Sequence, residues 1–146
     1  MTGGKWAKNI ITTHPGAMTP VREGYPNLHH ILGLNDRVLK GAFIVNCCWM
    51  FAQENPGYMA AHTHPYAEVI GFIGTNPANP NDLGAEAEIW IEDEKYVTRQ
   101  SCLMYIPAGI KHCPLTVRDI TRAIFHFDIQ LSDQVRILEE NGQNGL

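Results

Sequence analysis

No apolar run in the 146 residues approaches the roughly 20 needed to cross a bilayer, and the opening MTGGKWAKNIITTHPG has no apolar leader core. A soluble, cytoplasmic protein without a membrane partner is expected. There is no basic stripe that could track a phosphate backbone: the 11 Lys and Arg are scattered among 15 Asp and Glu, for a formal charge of -4. Nucleic acid is therefore not an expected partner. Four cysteines are too few and too irregular for a disulfide framework, since Cys47 and Cys48 are adjacent and Cys102 and Cys113 show no spacing pattern. They read as reduced thiols, with Cys47, Cys48 and Trp49 filling the core. A glycine-rich phosphate loop and a serine nucleophile elbow are also missing, which removes the commonest nucleotide and acyl-transfer chemistries. Long helical periodicity is nearly absent. Only SDQVRILEENGQNG, with Ser132 as N-cap and Gly142 as stop, reads as a short helix.

What the chain has is a succession of short strands. GAFIVNCCWMF, AEVIGFIG (67–74), AEAEIWIE (85–92), KYVTR (95–99), CLMYIP (102–107) and RAIFHFDIQL (122–131) are β-branched or aromatic, and several alternate with period two. In AEAEIWIE the face carrying Ala85, Ala87, Ile89 and Ile91 should be the core, with Glu86, Glu88, Trp90 and Glu92 opposite. Residues 1–40, broken by Pro15, Pro20 and Pro26, read as an irregular arm with one short strand or turn around HHILGLND. Residues 75–84, with two prolines, three asparagines and a glycine, read as a surface loop long enough to cover a cavity mouth. The whole is expected to be one all-β domain with its barrel core at about 41–131 and a tail at 132–146.

The stretch HTHPYAE concentrates chemistry. In extended chain, alternate side chains share a face, so His62, His64 and Glu68 project together. A helix would hold the two histidines about 200° apart and Pro65 would break it. Glu68 runs into the apolar VIGFIG, and a carboxylate buried without a partner is costly, whereas a metal cation replaces its lost hydration. A fourth residue of this kind is His112 in YIPAGIKHCPL, where Pro107 ends a strand and Gly109 permits a turn that returns His112 toward the first cluster.

Together these segments resemble the two motifs of the cupins, small double-stranded β-helix (jelly-roll) barrels. The first reads Gly57, four residues, His62-Thr63-His64, three residues, Glu68, five residues, Gly74. The second reads Ser101, five residues, Pro107-Ala108-Gly109-Ile110-Lys111-His112, three residues, Thr116. The first motif is shorter by one residue in its spacings, and Ser101 and Thr116 replace the usual glycine and asparagine. None of these departures touches a ligand position. The resemblance implies His62, His64, Glu68 and His112 as ligands of one divalent transition metal per chain. Mixed nitrogen and oxygen donors suit iron, manganese, nickel or cobalt, with zinc also compatible.

The resemblance further implies a metal-dependent enzyme on a small polar metabolite, with a dioxygenase favoured over an isomerase, decarboxylase, lyase or non-enzymatic binding protein. Two residues are candidates for proton transfer. His126 shares a face with Asp128, opposite Phe125 and Phe127, and Tyr105 precedes Pro107 by two positions. For both, a bland role in packing or at the surface competes. A homodimer, joined through sheet edges and the long arm, is expected.

Overall fold

In the computed structural model, residues 4–12, 28–51 and 58–132 are described. After a short 3-10 turn at Ala7–Asn9, the described residues form nine strands: β1 (Leu28–Leu34), β2 (Ile44–Met50), β3 (Tyr58–Met59), β4 (Glu68–Ile73), β5 (Asp82–Ile91), β6 (Glu94–Gln100), β7 (Cys102–Ile106), β8 (His112–Arg118) and β9 (Ile124–Gln130). They form two antiparallel sheets, one ordered β1-β2-β9-β4-β7 and the other β3-β8-β5-β6. The expected all-β jelly roll is present. The predicted C-terminal helix lies outside the described residues. Among the described residues no helix is long and apolar enough to cross a membrane.

Period-two alternation explains which side chains meet between the sheets. From β5, Ala85, Ala87 and Ile89 point inward as predicted and pack with Phe72, Ile106, Val117 and Ile124. Burying each large apolar side chain contributes about 1.5–3 kcal/mol. The strand pairings align inward rows across the larger sheet. One row is Ile44, Gln130, Glu68 and Ile106; the next is Asn46, Asp128, Ile70 and Met104; the third is Cys48, His126, Phe72 and Cys102.

The same alternation corrects one expectation. Cys47, Cys48 and Trp49 do not share the core, because successive residues on β2 face opposite ways. Cys48 is buried, while Cys47 and Trp49 lie half-buried on the outer face, Trp49 edge-on to Phe125 at 5.6 Å. The outward rows Val45, Ile129, Val69, Tyr105 and Cys47, Phe127, Gly71, Leu103 are apolar throughout.

Two more boundaries differ from the sequence reading. HHILGLND supplies a full strand, since β1 pairs along β2 and extends the barrel wall to Leu28. The 75–84 segment is shorter than expected as a loop, because β5 starts at Asp82. It leaves β4 at the end away from Glu68, where Ser101 Oγ accepts from Gly74 N–H and donates to the Pro80 carbonyl, both at 2.8 Å. Arg118 and Arg122 are taken by carboxylates of their own chain, Arg118 by Glu86 and Glu88 and Arg122 by Asp82.

Candidate metal centre

The two motifs are joined by backbone first. His62 and His112 exchange both N–H···O=C bonds at 3.0 Å, forming an isolated bridge, and Gly109 N–H donates to the His64 carbonyl at 2.9 Å. Gly109 turns with φ +79°, a conformation that suits glycine. The HTHPYAE segment is not a regular strand beyond that bridge, yet its alternation survives: His64, Tyr66 and Glu68 are buried while Thr63 and Pro65 are exposed. His112 opens β8, and Cys113 after it has φ +69° where β8 bulges against β5. The bulge breaks the expected alternation, so His112 and Cys113 are both buried.

The result is a compact group. His62, His64, Glu68 and His112 each offer a ligand atom, and these atoms all lie within 4.8 Å of one another. The ring centroids of His62 and His112 are 4.3 Å apart, and those of His64 and His112 are 4.9 Å apart. His62 is half-buried and the other three are buried.

Hydrogen bonds settle what the imidazoles present to one another. Nδ1 of His62 faces the Ala60 carbonyl at 2.8 Å, Nδ1 of His64 faces the Tyr66 carbonyl at 2.7 Å, and Nδ1 of His112 faces the Ile110 carbonyl at 2.9 Å. A carbonyl only accepts, so all three Nδ1 atoms carry the proton and donate it. Each neutral ring then keeps a lone pair at Nε2. In His64 and His112 that nitrogen lies 2.9 and 3.1 Å from Glu68 Oε2, another acceptor. Acceptors facing an acceptor need something positive between them, either extra protons on the imidazoles or a cation. The donor set, its burial and its locked tautomers fit a divalent metal.

Without a cation, the charges follow the other course, extra protons on the imidazoles. Burial alone would raise the Glu68 pKa, but the hydrogen bonds from His112 and His64 outweigh it and hold the carboxyl well below its usual range. Burial disfavours the charged form of His64, and its bond to Glu68 overcomes this to raise its pKa. For His62 burial wins and the pKa falls.

The other sequence candidates separate. His126 is buried on the inner face of β9, its ring stacked on Phe72 at 4.6 Å and its Nδ1–H donating to the Gly71 carbonyl at 3.0 Å. Burial lowers its pKa to about 4, so it is a neutral imidazole at ordinary pH. Tyr105 is not brought to the cluster and is not in the core either. Ile106 takes the inward position on β7, which leaves Tyr105 on the outer face and 64% exposed.

The structure adds residues the motifs did not reveal. Gln130 stands beside Glu68, accepting from the Tyr66 hydroxyl at 3.2 Å and offering Nε2 to Glu68 Oε1 at 3.5 Å. That same Nε2 donates to Asp128 Oδ2 at 3.0 Å. Asp128 also receives Asn46 Nδ2, at 3.0 and 3.1 Å from its two oxygens. The signal for them was the run His126, Asp128, Gln130, polar at every second position of an otherwise apolar strand.

Two facing antiparallel sheets, with two motifs meeting at one end of the barrel, decide the family of folds. The chain has the cupin fold. A cupin superfamily protein from Desulfitobacterium hafniense is similar over 85% of this chain and 99% of its own, with a TM-score of 0.51 at 13% identity. Peruvianin-I, a cysteine peptidase from Thevetia peruviana latex, is similar over 84% of this chain and 73% of its own, with a TM-score of 0.51 at 17% identity. An RmlC-like cupin from Shewanella frigidimarina covers 84% of this chain and 92% of its own, at 15% identity and a TM-score of 0.48. No protein-family model and no curated protein matches the sequence. At such identities the likeness carries the cupin fold and none of the chemistry.

Proposed function

We propose that this cupin barrel is a metal-dependent enzyme acting on a small polar metabolite that chelates a divalent transition metal held by His62, His64, Glu68 and His112. The observation that carries the reading is the set of three histidines whose Nδ1 protons are fixed by backbone carbonyls, leaving Nε2 lone pairs gathered at one carboxylate. Four protein ligands of this kind suit a six-coordinate iron, manganese, nickel or cobalt ion with two positions left over, and zinc also tolerates them. The bound ion would supply Lewis-acid polarisation of a chelating substrate and, as iron, redox chemistry with dioxygen. A dioxygenase is the favoured reaction.

A second reading, proton-transfer chemistry in a lyase, isomerase or decarboxylase, draws on the buried Asp128, whose pKa is raised by burial and by the neighbouring charge of Glu68. His126 lies on the same inner face and could pass a proton; Tyr105, facing outward, is not part of this proposal. A cysteine nucleophile receives no support. Burial pushes the Cys48 thiol up, and the Cys113 thiol up to about 12, so neither is a thiolate near neutral pH.

Elemental analysis of protein purified without chelators, beside His64→Ala and His112→Ala, tests the centre. About one iron, manganese or nickel per chain, lost in both variants, is the expected result. Dioxygen consumption with a panel of small hydroxy and keto acids then separates the dioxygenase from the proton-transfer readings. A wild-type protein that holds no metal and takes none up would overturn the proposal.

A further inference from the structure

Behind the metal ligands the inner face of the larger sheet stays polar. Gln130 links Glu68 to Asp128, and Asp128 is held in turn by Asn46. Asn46 and Asp128 are directly paired across β2 and β9, one inward row beyond the row that contains Glu68 and Gln130. Two residues along a strand is about 7 Å, so this pair sits one small molecule's length from the metal ligands. Asn46 is 0% exposed and Asp128 1% exposed.

The pair is not self-sufficient. Asn46 spends its amide nitrogen on the Asp128 carboxylate, and its amide oxygen is buried with no hydrogen-bond partner among the described residues. Such an orphan acceptor has given up its hydration with nothing in return. Rotating the amide does not remove the problem, because the nitrogen would become the orphan and the oxygen would face the Asp128 carboxylate. A donor from outside the chain does remove it.

We propose that Asn46 and Asp128 form a second binding subsite, which takes a hydroxyl group at the far end of a small hydroxy acid whose near end chelates the metal. The proposal rests on the metal-centre reading above and names the substrate class that goes with it. The hydroxyl hydrogen donates to Asn46 Oδ1, the buried acceptor that the described residues leave unmet, while Asp128 holds the amide nitrogen and so aims that oxygen. Because the subsite is buried, an acid lacking the hydroxyl leaves Asn46 Oδ1 unmet and should bind more weakly.

The probes are 2,4-dihydroxybutanoate and 2-hydroxybutanoate, which share the chelating end and differ only in the distal hydroxyl. Zinc-loaded protein is titrated with each by calorimetry, and zinc per chain is measured on the same samples. The dihydroxy acid is expected to bind at least tenfold tighter, and Asn46→Leu to shrink the preference below about twofold with zinc content unchanged. The side-chain amide resonance of Asn46 in the wild type supplies a readout that needs no variant. It should shift with the dihydroxy acid and stay put with the other. Equal affinities on protein carrying one zinc per chain, with no shift, would overturn the subsite while leaving the metal centre intact, and would mean that Asn46 Oδ1 is served by a water only. Failure to take up zinc or any other divalent ion would overturn the metal-centre reading, and the subsite with it.

Discussion

Taking the metal away should change not only how stable the protein is but at which pH it is most stable. In the metal-free protein the His64 Nε2 to Glu68 Oε2 contact, 2.9 Å and buried on both sides, is a hydrogen bond only when the imidazole carries a second proton. Glu68, held below its ordinary 4.5, adds stability that is complete above that pH and is lost as pH falls through its folded pKa. His64, held above 6.5, adds stability that is complete below that pH and is lost as pH rises through its folded pKa. The Glu68–His64 pair therefore makes its full contribution only between these two values, beside the separate pH dependence of the buried His126 and Asp128. A charge-assisted hydrogen bond contributes about 1.5–3 kcal/mol, and part of it is offset by desolvation. A net of about 2 kcal/mol, at about 2–4 °C per kcal/mol for a chain of this size, gives a fall in Tm of about 4–8 °C on the alkaline side.

Metal loading should reverse that trend, because the ligands bind only when deprotonated and the stabilisation grows as pH rises. Thermal melts by circular dichroism from pH 4 to 8.5, with a chelator and with excess metal, provide the comparison. Glu68→Gln should remove the pair's share of both limbs of the metal-free curve, leaving the acid-side loss that comes from charging the buried His126. A metal-free Tm that climbs steadily through neutral pH, unchanged in Glu68→Gln, would refute the coupling of Glu68 to His64.

Three further outcomes are expected. Gly71→Ala places a methyl carbon 2.3 Å from two ring carbons of Phe127, so the ring must swing outward; a loss of about 1–3 kcal/mol in denaturant melts follows, and an unchanged midpoint would contradict the close contact. Cys48 and Cys113, buried and with thiols held protonated, should resist a disulfide reagent at pH 8 until the protein is unfolded, which thiol titration in native and denaturing buffer reads directly. The apolar outer face of the larger sheet, with Leu103 67% and Tyr105 64% exposed, is expected to pair two copies of the chain, so Leu103→Glu with Tyr105→Glu should give monomers by light scattering. A monomer produced instead by removing residues 1–25 would assign the contact to the arm.

Legibility in the sequence followed the range of the interaction. The clustering of His62, His64, Glu68 and His112 was readable because HTHPYAE and PAGIKH are local patterns, and a bridge between two short segments is enough to bring them together. Most strands were readable because period two is also local, although β3, two residues long, left no pattern at all. The tail helix was likewise a local reading, and it falls outside the described residues.

By itself the sequence determined which residues share a face of each strand, because that follows from the backbone's alternation. It did not determine which face is turned inward, since that depends on what lies across the barrel. On β9 ordinary hydrophobic logic points the wrong way: His126, Asp128 and Gln130 are inside, and Phe125, Phe127 and Ile129 lie on the opposite face. Polar side chains are affordable inside only because the pairing with β2 and β4 sets Asn46, Glu68 and the Gly71 carbonyl beside them as hydrogen-bond partners. Those partners come from strands 55 to 82 residues away in the chain, so only the tertiary structure could turn that face toward the site.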